Sequence, residues 1–332
     1  MIWPVGAATG IGSMPGDDPR ESAAVVAGEL PDLVHIAELP GRGAPAGMIG
    51  RTAALLSDLY VDLQPAGWRI VDRPGIDHRR AVDALRRDLD ELEEAAAGYT
   101  GLLKLQAAGP WTASAGIELH RGDRVLADRG AVRDLAQSLG EGLRLHAAEV
   151  GRRVPGASIV LQLDEPSLPA VIAGHIRTAS GFGALAEVPG PDASDGLRTV
   201  VEAVGVPAGV HCCAADPPLA LFTAAGAAFA SIDAALLARR DDDVIGEFLE
   251  AGGHLLLGLV PTVVHDLPSV SATTAPAREL WRRLSYPPET LAQRVTVTPA
   301  CGLAGASPAY ARAALARARD AGRALAEAPE ES

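Results

Sequence analysis

The chain alternates short apolar runs with longer segments patterned at helical spacing. The runs fall near residues 5–11, 33–37, 101–106, 158–163, 206–211, 228–232, 254–259 and 294–298. Stretches such as 158–163 (SIVLQL) and 295–297 (VTV) put β-branched residues on both parities, the pattern of strands buried on both faces. Helical patterns lie between them at 19–29, 46–59, 77–97, 129–152, 194–204, 216–226, 240–251 and 307–326. In the third, Val82, Leu85, Leu89 and Leu92 make one stripe opposite charged residues. Eight strands alternating with helices predict an α/β fold, a (β/α)8 TIM barrel, with a doubly wound sheet as the main rival. On this reading one barrel spans 1–326 and a frayed tail follows at 327–332. Extra length goes into the βα loops: a hairpin within 61–72 (VDLQPAGWRIVD) and Gly/Pro-rich loops around 173–193 and 260–276. No repeat of 20–50 residues is visible.

Composition narrows the function classes. With 48% hydrophobic and 21% charged residues the chain is an ordinary globular one, which excludes disorder and collagen. Its formal charge of −13 makes nucleic acid and anionic membrane surfaces poor partners. Three cysteines, Cys212, Cys213 and Cys301, are too few and too odd in number for a disulfide framework, and a bond between the adjacent pair would be strained. A reducing compartment, the cytoplasm, is expected. The opening MIWPVGAATGIGSMPG has no basic start or apolar h-region of a signal peptide. The longest nearly uncharged stretch, between Asp216 and Asp233, is shorter than the roughly 20 residues that span a bilayer.

Barrel chemistry sits at the carboxyl ends of strands. Chemically capable residues fall there: Ser13 after the first run, Glu38 after the second, Asp164 and Glu165 after the fourth. His211, Cys212 and Cys213 follow the fifth run, Asp233 the sixth and Cys301 the eighth. Imidazole, thiolate and carboxylate are the usual ligands of Zn²⁺, so His211, Cys213, Asp233 and Cys301 form a candidate tetrahedral site. Burial of the cysteines as plain packing is the competing reading. Cys212 points opposite to Cys213 if the strand continues, which places it in the core. The other histidines, including His265, have no comparable company.

Five segments in order resemble the catalytic barrel of the cobalamin-independent methionine synthase family, in the superfamily that also holds uroporphyrinogen decarboxylase. Gly10-Ile11-Gly12-Ser13 with Met14-Pro15 is similar to the family's I-G-S-F-P. Lys104, Gly109-Pro110 and Thr112 are similar to its K…G-P-x-T. Gln162-Leu163-Asp164-Glu165-Pro166 matches Q-x-D-E-P, His211-Cys212-Cys213 matches H-x-C, and Pro299-Ala300-Cys301-Gly302-Leu303 matches P-x-C-G-L. The resemblance implies zinc held by His211, Cys213 and Cys301. The family's fourth ligand is a glutamate in S-I-E, where this chain has Ser231-Ile232-Asp233, one methylene shorter. It also implies an amino-acid thiol held by Ile11, Ser13, Glu38 and Asp164. A rim salt bridge with Arg42 or Arg51 is the competing reading for the two carboxylates.

What the resemblance implies is zinc-assisted methyl transfer to a thiol, homocysteine giving methionine, with a folate or a corrinoid protein as methyl donor. Two departures bear on the donor. The family's N-terminal barrel has no counterpart in this sequence, and its G-V-Y-D-x-H-S segment is not recognisable after the seventh strand, where His265-Asp266 is a candidate remnant. They favour methylcobalamin or another small or protein-borne donor over methyl-tetrahydrofolate. Trp111 is a candidate to stack on a flat donor. Other readings are a corrinoid-linked enzyme with another thiol, a non-catalytic zinc-binding paralogue, and a decarboxylase using Arg20, Arg42, Arg51 and Arg69, which leaves the Cys and His set unexplained.

Overall fold

The computed structural model describes residues 3–262 and 266–330. Ten strands occur among them: β1 (Leu33–His35), β2 (Tyr60–Gln64), β3 (Gly67–Val71), β4 (Leu102–Ala108) and β5 (Ile117–Glu118) in the first half. The second half holds β6 (Ser158–Asp164), β7 (Ala208–Cys212), β8 (Phe229–Asp233), β9 (His254–Val260) and β10 (Val295–Pro299). Seven form one curled parallel sheet in the order β1-β4-β6-β7-β8-β9-β10. The expected hairpin is β2–β3, antiparallel from Tyr60↔Val71 to Gln64↔Gly67, with β5 added on its edge.

The eighth strand expected at 5–11 is not a regular strand. That segment touches both edges of the sheet instead: Ala8 bridges Val297 of β10, and Ser13 bridges Glu38 just beyond β1. Glycines explain the irregularity. A Cβ on Gly10 would lie 2.3 Å from the His35 ring, and one on Gly12 (φ +156°) would lie 2.8 Å from the Gln106 amide. The backbone comes too close to two side chains for any residue but glycine.

Helices follow the expected pattern where a cap marks them. The Asp18 carboxylate accepts from the Arg20 and Glu21 N–H groups to start Pro19–Glu29, and Asp128 does the same through Ala131 N for Arg129–Arg153. Of the stripe, Leu85, Leu89 and Leu92 are buried in Ile76–Ala95 and Val82 is half-buried. The loop expected at 260–276 is shorter than its composition suggests. Helix Val270–Arg283 starts inside it, capped by Ser269, with Pro276 in its interior and Thr273, Thr274, Ala277, Leu280 and Trp281 buried. Burial of that face outweighs a poor local helix propensity. The tail expected from 327 lies partly outside the described residues.

Strand parity divides the interior in two. Leu103, Leu105, Leu161, Leu163, Val210, Cys212, Ala230 and Ile232 face the helices in one large apolar core. Leu33, Leu102, Val160, Phe229 and Leu256 face inward and pack together at the amino ends of the strands, with Trp3 against them. Further along the same inward parity the residues turn polar: Lys104 and Gln106, Gln162 and Asp164, His211, and Ser231, all buried. The lumen is therefore apolar at its base and polar toward its carboxyl end, where the site lies.

Candidate metal and substrate site

His211 ends the inward row of β7 and is buried. Its Nδ1 lies 3.0 Å from the Ser231 hydroxyl on the neighbouring strand. Its Nε2 is buried with no hydrogen-bond partner among the described residues. Cys213 follows β7 and Cys301 follows β10, and their sulfurs stand 2.8 Å apart, sharing a hydrogen bond. One ligand atom each from His211, Cys213 and Cys301 falls within 4.8 Å of the others. Hydrogen bonding with Cys213, and then the nearby His211 ring, pulls the Cys301 thiol down to about 4, while the same bond and burial push Cys213 up. Two adjacent sulfurs and an imidazole nitrogen without a partner are the donor set of a soft divalent cation, and they fit zinc.

Asp233 is not part of that cluster. It ends β8, its Oδ1 accepts from the Ala235 N–H at 2.9 Å, and burial raises its carboxyl. Cys212 lies in the outer core, as parity requires, and burial pushes it up to about 12. All three cysteines are free.

A cavity of about 300 Å³ opens on the cluster. Ile11, Ser13, Glu38 and Asp164 line it together with His211, Cys213 and Cys301. The segments after the first and last runs are locked together here: Leu303 N donates to the Ser13 carbonyl at 2.8 Å, and a Cβ on Gly302 would lie 2.0 Å from Ser13 Oγ. Asp164 makes no salt bridge with Arg42 or Arg51; its Oδ1 accepts from Gln162 Nε2 at 2.7 Å, and burial pushes its carboxyl up to about 7. Glu38 does have an arginine near it, Arg51 at 3.7 Å, although Arg51 also bonds Asp88, as does Arg42.

Glu165, on the opposite parity, points away from the cavity. It accepts from the Trp111 and Thr112 N–H groups and the Thr112 hydroxyl, fastening the start of helix Pro110–Gly116 to the end of β6. Trp111 is packing rather than a donor platform: it is buried, and its indole N–H donates to the Ala193 carbonyl at 2.8 Å. The four arginines a decarboxylase would need do not converge. Arg20 pairs with Glu94, Arg42 and Arg51 with Asp88, and Arg69 with Glu118. His265 lies outside the described residues. Ser231, Gln162 and Lys104 stand in the sequence as motif residues without a role; the signal for their support of the site was a polar side chain on the inward parity of a buried strand.

A curled, seven-stranded parallel sheet forms a half-barrel, and the thiol-imidazole cluster at the carboxyl ends of its strands is a group that could hold a metal ion. The chain belongs to the family of cobalamin-independent synthase catalytic domains: the family profile matches residues 7–324. Among solved structures it is similar to a B12-independent methionine synthase from Shewanella sp. W3-18-1, solved in complex with selenomethionine. Identity is 10%, TM-score 0.61, over 96% of this chain and 97% of that one. 3-Keto-D-glucoside 4-epimerase YcjR from E. coli matches at 13% identity and TM-score 0.35, over 71% and 85% of the two chains, too slight a likeness to carry an argument. A comparison with curated proteins gives no match.

Proposed function

We propose that the protein is a zinc-dependent methyltransferase whose acceptor is a thiol, homocysteine, giving methionine. The observation that carries this is one cavity lined both by the His211, Cys213 and Cys301 cluster and by Ile11, Ser13, Glu38 and Asp164. An amino-acid thiol has three handles, and this cavity offers a match for each. His211, Cys213 and Cys301 would hold the metal, with Asp233 as fourth ligand once its carboxylate leaves the Ala235 N–H. Bound there, zinc supplies the Lewis acidity that lets a thiol of pKa about 8.5 lose its proton at neutral pH while staying nucleophilic. Asp164 and Glu38 receive the ammonium group, and Ser13 with the backbone beside Ile11 receives the carboxylate. The sulfur gains the methyl group, the thiol proton leaves, and the donor departs without its methyl.

The donor is a methylated folate or a methylated corrinoid protein, and the site is cytoplasmic chemistry in keeping with three free cysteines. Zinc-loaded protein is assayed with homocysteine and either methyl-tetrahydrofolate or methylcobalamin, following methionine. Turnover with either donor supports the proposal and names the donor. Stoichiometric zinc without turnover from either leaves a non-catalytic zinc-binding protein. Absence of zinc from protein purified with the metal present removes the reading altogether.

A further inference from the structure

The sequence holds 29 cationic side chains, of which 28 are arginine. The single lysine, Lys104, is wholly buried and ranks first in size among the fully buried side chains. A chain that uses arginine for every other cation places an ammonium inside its barrel. The contacts give the reason. Lys104 Nζ donates to the Ile11 carbonyl at 2.8 Å and to Gln162 Oε1 at 2.9 Å. With its oxygen so taken, the Gln162 amide can face only one way, and its Nε2 donates to the Ile11 carbonyl at 2.9 Å and to Asp164 Oδ1 at 2.7 Å. Without Lys104 the Gln162 oxygen would be left buried with no donor, and the side chain that donates to Asp164 would lose the anchor on its other end.

Neither Lys104 nor Gln162 lines the cavity, but Ile11 and Asp164 both do. Burial lowers the Lys104 ammonium to about 8, with Asp164 and Glu38 resisting the fall. An arginine could not substitute: its planar fork is longer and fixed in direction, whereas an ammonium serves two acceptors at the tip of a slender stem.

We infer that Lys104 is a positioning residue for acceptor recognition, acting through Gln162 and the Ile11 carbonyl to aim the Asp164 carboxylate and the Ile11–Ser13 segment at an α-amino thiol. This rests on the acceptor reading above. It assigns Lys104 to reading the amino group, and leaves metal binding to His211, Cys213 and Cys301.

The test compares homocysteine with 4-mercaptobutanoate, which keeps the thiol and carboxylate and lacks only the amino group. Calorimetry on zinc-loaded wild type, Lys104→Met, Lys104→Arg and Gln162→Met gives the ratio of the two dissociation constants, with zinc content measured on the same samples. The wild type should prefer homocysteine. Lys104→Met and Gln162→Met should lose tenfold or more of that preference while retaining zinc and 4-mercaptobutanoate binding, and Lys104→Arg should not restore it. An intact preference in Lys104→Met, or an equal loss for both ligands, overturns the inference. Should Lys104→Met fail to fold, Lys104→Arg decides in the same way, because it keeps the buried charge and changes only the shape of the cation. A wild type without preference for homocysteine defeats the acceptor reading itself, before any variant is compared.

Discussion

Ser231 and His211 are direct register partners on β8 and β7, and the serine hydroxyl lies 3.0 Å from the imidazole Nδ1. That contact leaves Nε2 as the ring's free atom, beside the two sulfurs. A partner on the far nitrogen fixes both ring orientation and tautomer of a ligating histidine. Ser231→Ala should therefore lower zinc affinity about 10–100-fold with the fold unchanged. Cys301→Ser should leave little bound zinc. Competition with a chromophoric chelator measures both, and a Ser231→Ala affinity equal to wild type would show that the serine is only packing.

Asp164→Asn keeps the shape of the site and removes the charge. Losing one partner of a buried, charged hydrogen bond costs about 2–5 kcal/mol. Homocysteine should weaken by that amount and a simple alkyl thiol hardly at all. Equal weakening of the two thiols would mean that Asp164 does not contact the amino group.

Sequence and structure agree best where burial enforces a period. Every expected run from 33–37 onward corresponds to a strand, because residues packed on both faces leave an unbroken apolar signature. The approach of His211 to Cys301 across 90 positions was legible only through the alignment of strand ends on one rim and through family motifs. What local pattern missed has local causes. The segment 5–11 reads as apolar, but Gly6, Gly10 and Gly12 give it turns and close approaches in place of strand geometry. Helix Val270–Arg283 is rich in Ser, Thr and Val at its start and contains Pro276, so only its buried face declares it. Lys104 was visible as a motif residue, but its two hydrogen-bond partners, 58 and 93 positions away, belong to the tertiary fold.

His254 makes a separate, pH-dependent contribution at the base of the barrel. It is stacked on Trp3 at 4.2 Å, its Nε2 lies 2.9 Å from Thr296 Oγ1, and burial, aided by Arg294, lowers it to about 3. The unfolded chain protonates this ring near 6.5 and the folded one does not until far lower. Its contribution is thus complete above the unfolded value and declines as pH falls, by about 1.4 kcal/mol per unit. Urea melts should show wild type more stable than His254→Gln near neutrality, with the difference shrinking by about 2–3 kcal/mol over two pH units below the unfolded value. A pH-independent difference would show that the ring already titrates normally in the fold.

Gly142, in helix Arg129–Arg153, is required by a neighbouring chain segment rather than by its own conformation. A Cβ there would lie 1.6 Å from the Leu55 carbonyl oxygen, a backbone atom that cannot rotate aside. Gly142→Ala should destabilise by about 1–3 kcal/mol despite the better helix former, as overpacking does. Thermal melts of Gly142→Ala beside Gly151→Ala, where a Cβ meets nothing within 4 Å, separate the clash from the propensity.

The inward ring of Leu33, Leu102, Val160, Phe229 and Leu256, closed over by Trp3, makes the lumen a blind-ended vessel. Such a vessel has one mouth, at the carboxyl ends of the strands. Ser13 and Glu38 line the same cavity as His211, Cys213 and Cys301, so anything that reaches the thiol-imidazole cluster enters and leaves by the opening those residues share.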